Sequence, residues 1–252
     1  METKTTVPDP DPDPESGEVV YSRMRWNTPL SEDHATLLLE RLALTGCENV
    51  LDLGCGWGEL LLRAIADVPS ATGIGVDSNP WVVERGRRLA ADRQLSERVS
   101  YLAADATGWT AAADRVLCIG ASHAWGGSAK ALRALAHLVR PAGRLLFGAG
   151  CWDTPTPSET ARTMFGEEVL PLGKLVEEAV AAGWRVLHLS TADQREWDDF
   201  EATWRAGRQE WLLVHSDDER AGQVRAKVDS QVRDYVGVYR GVLGFAYLIL
   251  AR

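Results

Sequence analysis

The chain has 252 residues, 45% hydrophobic and 25% charged, with a formal net charge of −9. That is one domain's worth of sequence with enough apolar material for a sizeable core, and it excludes collagen-like, mucin-like and coiled-coil readings. Residues 1–18 carry six acids against one base, so −5 of the −9 sits there, and the mildly acidic remainder has no cluster of Lys and Arg of the kind nucleic-acid binding draws on.

Within residues 7–15, Pro alternates with Asp from Pro8 to Pro14 before Glu15, which blocks both helix and ladder pairing and predicts a disordered tail over 1–18. Order is expected from Val19 onward as a single domain, opening with a capping segment over 19–45. Ser31 followed by Asp33 and apolar residues at helical spacing predicts a helix over 31–44 with Ser31 as its N-cap. The chain then alternates: strands over 50–54, 72–77, 99–105, 113–120, 143–150 and 184–190, and helices over 58–67, 80–93, 127–139 and 172–183. Apolar runs separated by helices predict an α/β fold, a Rossmann-like doubly wound sheet that binds ligands at the carboxyl ends of its strands.

Between residues 192 and 240 the pattern changes. Trp197, Phe200, Trp204 and Trp211 share one helical face, and Val224, Val228, Val232, Tyr235 and Tyr239 make a stripe on the next helix. A helical hairpin before a closing strand over 241–252 is expected to act as a lid. No apolar run reaches the roughly 20 residues a membrane helix needs. The start of the chain has no charged-then-apolar signal pattern, so a cytoplasmic protein is expected. Four cysteines and five histidines are scattered without CxxC, HxH or HxxxH, which predicts reduced thiols and no metal.

The chemistry-bearing stretch is 51-LDLGCGWGEL-60, where a strand ends in Asp52 and Gly54, Gly56 and Gly58 precede a helix. Glycines there permit a tight turn and close approach of a ligand to the backbone. A nicotinamide fingerprint counted from Gly54 puts its third glycine on Glu59 and fails. Asp77 ends the second strand, where an acid can hold ribose hydroxyls. Asp105 ends the third, placed to accept from an adenine amino group. Acids stand at consecutive strand ends in place of a phosphate clamp, which favours a cofactor with an adenosine but no phosphate.

LDLGCGWGEL, GIGVDSNPWVVERG, YLAADAT, and ADRVLCIGASHAWGG followed by LRALAHLVRPAGRLLFGAGCW resemble, in order, the motifs of class I S-adenosylmethionine-dependent methyltransferases over residues 46–152. The resemblance implies S-adenosyl-L-methionine as cofactor and S-adenosyl-L-homocysteine as product, on a seven-stranded sheet with an antiparallel last strand. It implies cofactor contacts from Asp52, Gly54, Cys55, Gly56 and Gly58, from Asp77 and Ser78, from Asp105 and Ala106, and from Cys118 and Gly120. The whole chain most resembles small-molecule methyltransferases of actinobacterial natural-product pathways, some of which methylate C3 of indoles. A small aromatic acceptor is therefore expected, and the enzyme is expected to be a monomer or homodimer.

His123, in the loop after the fourth strand, is the candidate base, and Tyr21 its candidate relay partner. Trp26, Asn27, Trp125, Trp152, Trp204, Tyr235 and Tyr239 are the candidate substrate-binding residues. O- or N-methylation of a phenol or amine is the alternative chemistry. A cofactor-binding module without turnover is the alternative of another class.

Overall fold

The computed structural model describes residues 12–46 and 48–252. Its strands are β1 (Asn49–Leu53), β2 (Thr72–Asp77), β3 (Val99–Ala103), β4 (Ala113–Ile119), β5 (Val139–Trp152), β6 (Leu170–Pro171), β7 (Arg185–Thr191) and β8 (Leu243–Ala251). The helices are α1 (Gly17–Val20), α2 (Glu32–Leu42), α3 (Glu59–Asp67), α4 (Pro80–Asp92), α5 (Ser128–Leu135), α6 (Glu159–Phe165), α7 (Leu172–Ala181), α8 (Gln194–Val214) and α9 (Ala221–Asp234). The sheet runs β3-β2-β1-β4-β5-β8-β7, parallel through β5, with β8 antiparallel to both neighbours. The two-residue β6 adds an eighth strand against the end of β5, beyond the seven expected. It is too short to leave a period in the sequence.

Strand parity divides the core. In β8, Leu243, Phe245, Tyr247 and Ile249 face one hydrophobic layer, whereas Ala246, Leu248 and Leu250 face the other. The first layer is closed by apolar residues of α2, α3 and α4, the second by those of α5 and α7. Ser31 caps α2 as the sequence indicated, its hydroxyl accepting from the His34 amide at 3.2 Å. That helix stops at Ala43 in the left-handed region, φ 51°, rather than at Gly46.

One carboxylate ties the starts of two helices together. Glu196 closes a capping box with Asp193 at the start of α8, and it also accepts from the Ser31 amide at 2.8 Å and hydroxyl at 2.6 Å. The His34 Nδ1 lies 3.0 Å from the same oxygen. Burial alone would raise this carboxyl, but the bonds from His34, Ser31 and the Asp193 amide outweigh it and push it down to about 2. Negative charge at two helix N-termini is favourable for the same reason.

Order begins before Val19. Residues 1–11 of the expected tail lie outside the described residues, but residues 12–18 are packed. The Pro12 carbonyl accepts from Trp211 Nε1 at 2.9 Å, and Glu15 takes Arg208 Nη2 at 3.0 Å and Lys227 Nζ at 2.5 Å. Ser16 caps α1. The segment expected to be disordered thus includes an acid that pairs with two cations of the α8–α9 hairpin. A Cβ on Gly207 of α8 would stand 1.8 Å from the Val19 carbonyl, so α1 lies directly on α8.

The two stripes of the hairpin are real but face three different places. Trp197 packs into the sheet-side core, Trp204 beside Met24, Trp57 and Val82, and Trp211 with Val224 and Val228. The α9 stripe fails at Val232, because each step of four residues from Val224 drifts about 40° around the helix and carries Val232 to the exposed side; beyond Asp234, residues 235–239 continue as a π-helical turn.

Candidate active site

After β1 the chain turns through Gly54, Gly56 and Gly58, with φ of 71°, 55° and 68°. The Gly54 and Cys55 amides donate to the Val76 carbonyl at 2.8 and 3.1 Å, and the Gly56 amide donates to Asp77 Oδ2 at 2.9 Å. A Cβ on Gly54 would lie 2.2 Å from that of Ala121, whereas one on Gly56 would meet nothing within 4 Å. The first glycine therefore serves packing, and the second leaves bare backbone. α3 starts at Glu59 with no side-chain cap, so its first amides are available to an anion.

This turn floors a cavity of about 250 Å³. The ends of β2 and β3 supply Asp77, Ser78, Asp105 and Ala106, and the loop after β4 supplies Gly120, Ala121 and His123. The strap over 21–30 closes the other side with Arg25, Trp26, Asn27 and Thr28. Asp52, at the floor, accepts no hydrogen bond from the described residues. Burial, and then the neighbouring Asp77 charge, push its carboxyl up to about 8. Such a group gains most from a cation brought in by a ligand. Asp77 is already committed to the Gly56 and Asn79 amides, which hold its oxygens at the β2 end. Asp105 is held below the usual carboxylate range by the Thr107 amide and hydroxyl.

The wall suits an amino acid joined to an adenosine. Asp52 suits an ammonium, and Arg25, the one permanent cation among the described lining residues, suits a carboxylate. Asp77 suits ribose hydroxyls, and Asp105 with Ala106 the adenine edge. Among the described lining residues a single guanidinium, against Asp52, Asp77 and Asp105, is too little positive charge to neutralise a pyrophosphate.

Of the residues singled out from sequence, Asp52, Gly54, Cys55, Gly56, Gly58, Asp77, Ser78, Asp105, Ala106, Gly120, His123, Trp26 and Asn27 all line this cavity. Cys118 does not: strand parity turns it into the second core layer, and its neighbour Ile119 lines the cavity instead. Tyr21 is also elsewhere. Its ring packs against Trp57 and Trp81, each at 5.6 Å between centroids, so the relay with His123 has no geometry.

Trp125 packs on the second core layer, and Trp152 is buried edge-on to Phe165. Trp204, on α8, packs towards the strap beside Tyr21 and Arg208. Tyr235 and Tyr239 donate their hydroxyls to Asp198 at 2.6 Å and Glu201 at 2.7 Å, stitching the π-helical turn to α8. The hairpin thus contributes none of the described lining residues, and the lid expectation is corrected to a buttress behind the strap.

The sequence reading missed Arg25 and Trp57. Trp57 stands inside the glycine motif, is 2% exposed, and donates from Nε1 to the Arg25 carbonyl at 2.9 Å, fixing the strap over the turn. The signal for Arg25 was that a zwitterionic ligand needs one cation among so many acids.

A glycine turn, acids at successive strand ends and a β8 inserted antiparallel define an S-adenosylmethionine-dependent methyltransferase. Residues 50–143 match the model of a methyltransferase domain family. The Escherichia coli (strain K12) protein YjhP, described as uncharacterized, is 31% identical over 238 residues, covering 92% of this chain and 96% of its own. A methyltransferase from Geobacter sulfurreducens, solved with S-adenosyl-L-homocysteine, superposes with a TM-score of 0.84 at 29% identity, over 92% of this chain and 96% of that one. One from Thiobacillus denitrificans, solved with the same ligand, gives 0.83 at 28% identity, over 93% and 97%. The chain belongs to the class I S-adenosylmethionine-dependent methyltransferases, and S-adenosyl-L-methionine is its cofactor. Among the described residues no helix is long and apolar enough to cross a membrane.

Proposed function

We propose that the protein methylates a small, flat acceptor that enters between the strap and the turn at Ser122–Trp125, with an indole carbon as the sharpest candidate. The observation that carries this reading is that Trp26 and His123 line the same cavity as the glycine turn. The bound cofactor supplies a methyl group on a sulfonium, already activated towards a nucleophile. The protein's work is then alignment, and positioning of this kind contributes up to about 7–11 kcal/mol in the best intramolecular models.

Trp26 offers an aromatic face for stacking, with the Arg63 guanidinium 4.6 Å from its ring centre. Asn27 and Thr28 supply polar contacts beside it. His123 is exposed, and its imidazole has no hydrogen-bond partner among the described residues, so it is free to take a proton from the acceptor. The Arg25 guanidinium, the Asp52 carboxylate and the Asp77 carboxylate hold the cofactor's amino-acid and ribose ends. We place the enzyme in the cytoplasm, as a monomer or homodimer.

The test follows S-adenosyl-L-homocysteine release with labelled cofactor on 3-substituted indoles, phenols and amines. Turnover on indoles with the methyl on carbon is the expected result. His123→Ala should then lose about 10²–10⁴-fold in kcat. A loss under about tenfold on an indole removes His123 as the base. Turnover on phenols or amines alone moves the reading to O- or N-methylation.

A further inference from the structure

We infer a second binding site, for a dianion of the phosphate class, in the recess between the strap and helices α3 and α4. This recess, about 560 Å³, shares Trp57 with the cofactor cavity but none of the three glycines of the turn. Its wall carries five guanidinium groups, Arg23 and Arg25 from the strap, Arg63 from α3, Arg85 from α4, and Arg93, which caps the C-terminal end of α4. A single carboxylate, Glu59, stands among them.

Glu59 is fully engaged, by Arg63 Nε at 2.9 Å and Arg93 Nη2 at 2.5 Å. Two more carboxylates reach in from outside the wall. Glu32 pairs with Arg25 and Arg63, and Glu210 takes Arg23 Nη2 at 2.6 Å. Three carboxylates against five arginines leave an excess of two positive charges, which balances the two negative charges of a phosphate monoester. Arg85 is the guanidinium without a carboxylate partner among the described residues. It lies 4.0 Å from the Trp57 ring centre and gives Nη1 and Nη2 to the Tyr21 and Met24 carbonyls at 2.9 and 2.8 Å. Cations converging from three chain segments around an open space match an anion with acceptor oxygens on every side better than a planar carboxylate.

The position gives the site a consequence. Arg25, Trp57 and Glu59 line both this recess and the cofactor cavity. An anion held jointly by strap arginines and by arginines of α3 and α4 would clamp the strap down, and so would favour the closed cofactor cavity. Linkage requires the reverse as well: cofactor must tighten the anion. The site itself stands without the methyl-transfer reading, because its own binding is measured directly.

The experiment titrates inorganic phosphate and, separately, phenyl phosphate into the full chain by calorimetry, at ionic strength held constant with chloride. The expected result is saturable binding of at least one of the two at about 10 mM or below. S-adenosyl-L-homocysteine should then bind at least about fivefold more tightly in saturating phosphate or ester than in chloride. Tighter binding of the ester assigns the site to a phosphorylated small molecule, and tighter binding of the free ion assigns it to phosphate itself. The double variant Arg23→Gln/Arg93→Gln should weaken the anion about tenfold or more while still binding S-adenosyl-L-homocysteine in chloride, which shows it folded. Arg93→Lys, which keeps the charge, should retain part of the affinity. Absence of saturable binding of either probe, or equal binding by the double variant, overturns the inference and reduces the five arginines to a surface ion-pair network.

Discussion

Alanine at Gly54 and at Gly56 separates two uses of glycine in one turn. At Gly54 the φ of 71° costs a residue with a Cβ about 1–2 kcal/mol. The new Cβ would also stand 2.2 Å from the Ala121 Cβ, well over an ångström inside ordinary carbon contact. Overpacking of that kind costs about 1–3 kcal/mol more. Gly54→Ala should thus lose about 2–5 kcal/mol, read as a melting point lower by about 4–20 °C for a chain of this size. Gly56→Ala, with φ 55° and nothing within 4 Å, carries the backbone term alone, about 1–2 kcal/mol. Its Cβ nonetheless covers the bare backbone that faces the cavity, so S-adenosyl-L-homocysteine affinity should fall about tenfold or more while the fold holds. Thermal melting and calorimetric titration of both variants give the comparison. Adding Ala121→Gly to Gly54→Ala should recover the overpacking part and leave the strain. If Gly54→Ala melts within about 2 °C of the parent, or Gly56→Ala is destabilised as much as Gly54→Ala, the division between packing and ligand approach is wrong.

Two further outcomes concern protons. Asp52 keeps its proton in the cofactor-free fold up to about pH 8, whereas an unfolded chain releases it near the ordinary 3.8. The native state therefore holds the extra proton between those values, and the stability of the cofactor-free protein should fall as pH rises from about 4 to about 8, then level off. An arriving ammonium favours the ionised carboxylate. Binding of S-adenosyl-L-homocysteine at pH 7 should accordingly release close to one proton, and almost none at about pH 9. Calorimetry in buffers of different ionisation heat measures this, and zero release at pH 7 would count against Asp52 as the ammonium partner. Glu196 runs the other way. Its folded value near 2 lies below the ordinary 4.5, so it contributes about 3 kcal/mol that is fully present above about pH 5 and disappears as pH falls towards 2. Glu196→Gln should remove that acid dependence from equilibrium unfolding curves, and an unchanged acid limb would refute the assignment.

The cofactor half of the site was legible because its signals are local. A glycine turn, the acid ending β2 and the acid following β3 are each set by a few consecutive residues, and doubly wound topology brings strand ends together without further information. The acceptor half was not. Whether an aromatic faces a cavity depends on what packs behind it, and Trp125, Trp152, Tyr235 and Tyr239 are all claimed by the cores or by hydrogen bonds to α8. Cys118 was misplaced by a single step of strand parity. Among the elements, α1, α6 and β6 went unread because four, seven and two residues are too few to establish a period. The helices and strands of the repeating half, by contrast, fell within a few residues of their expected bounds.

The placement of β8 bears on the order in which the fold is assembled. Among the described residues β7 pairs with β8 alone, and β8 (Leu243–Ala251) leaves the ribosome after every other described strand. β5 can dock on β4 well before then, but β7 has no ladder to join until some fifty further residues have emerged, which at roughly 5–20 residues per second is a delay of seconds. During that interval β5 presents an unpaired edge, and Leu187 and Leu189 of β7 are apolar and still exposed in the finished protein. The nascent chain is therefore most vulnerable to self-association between synthesis of β7 and synthesis of β8. A stop codon ahead of Leu243 would cost two strands of the sheet, not one.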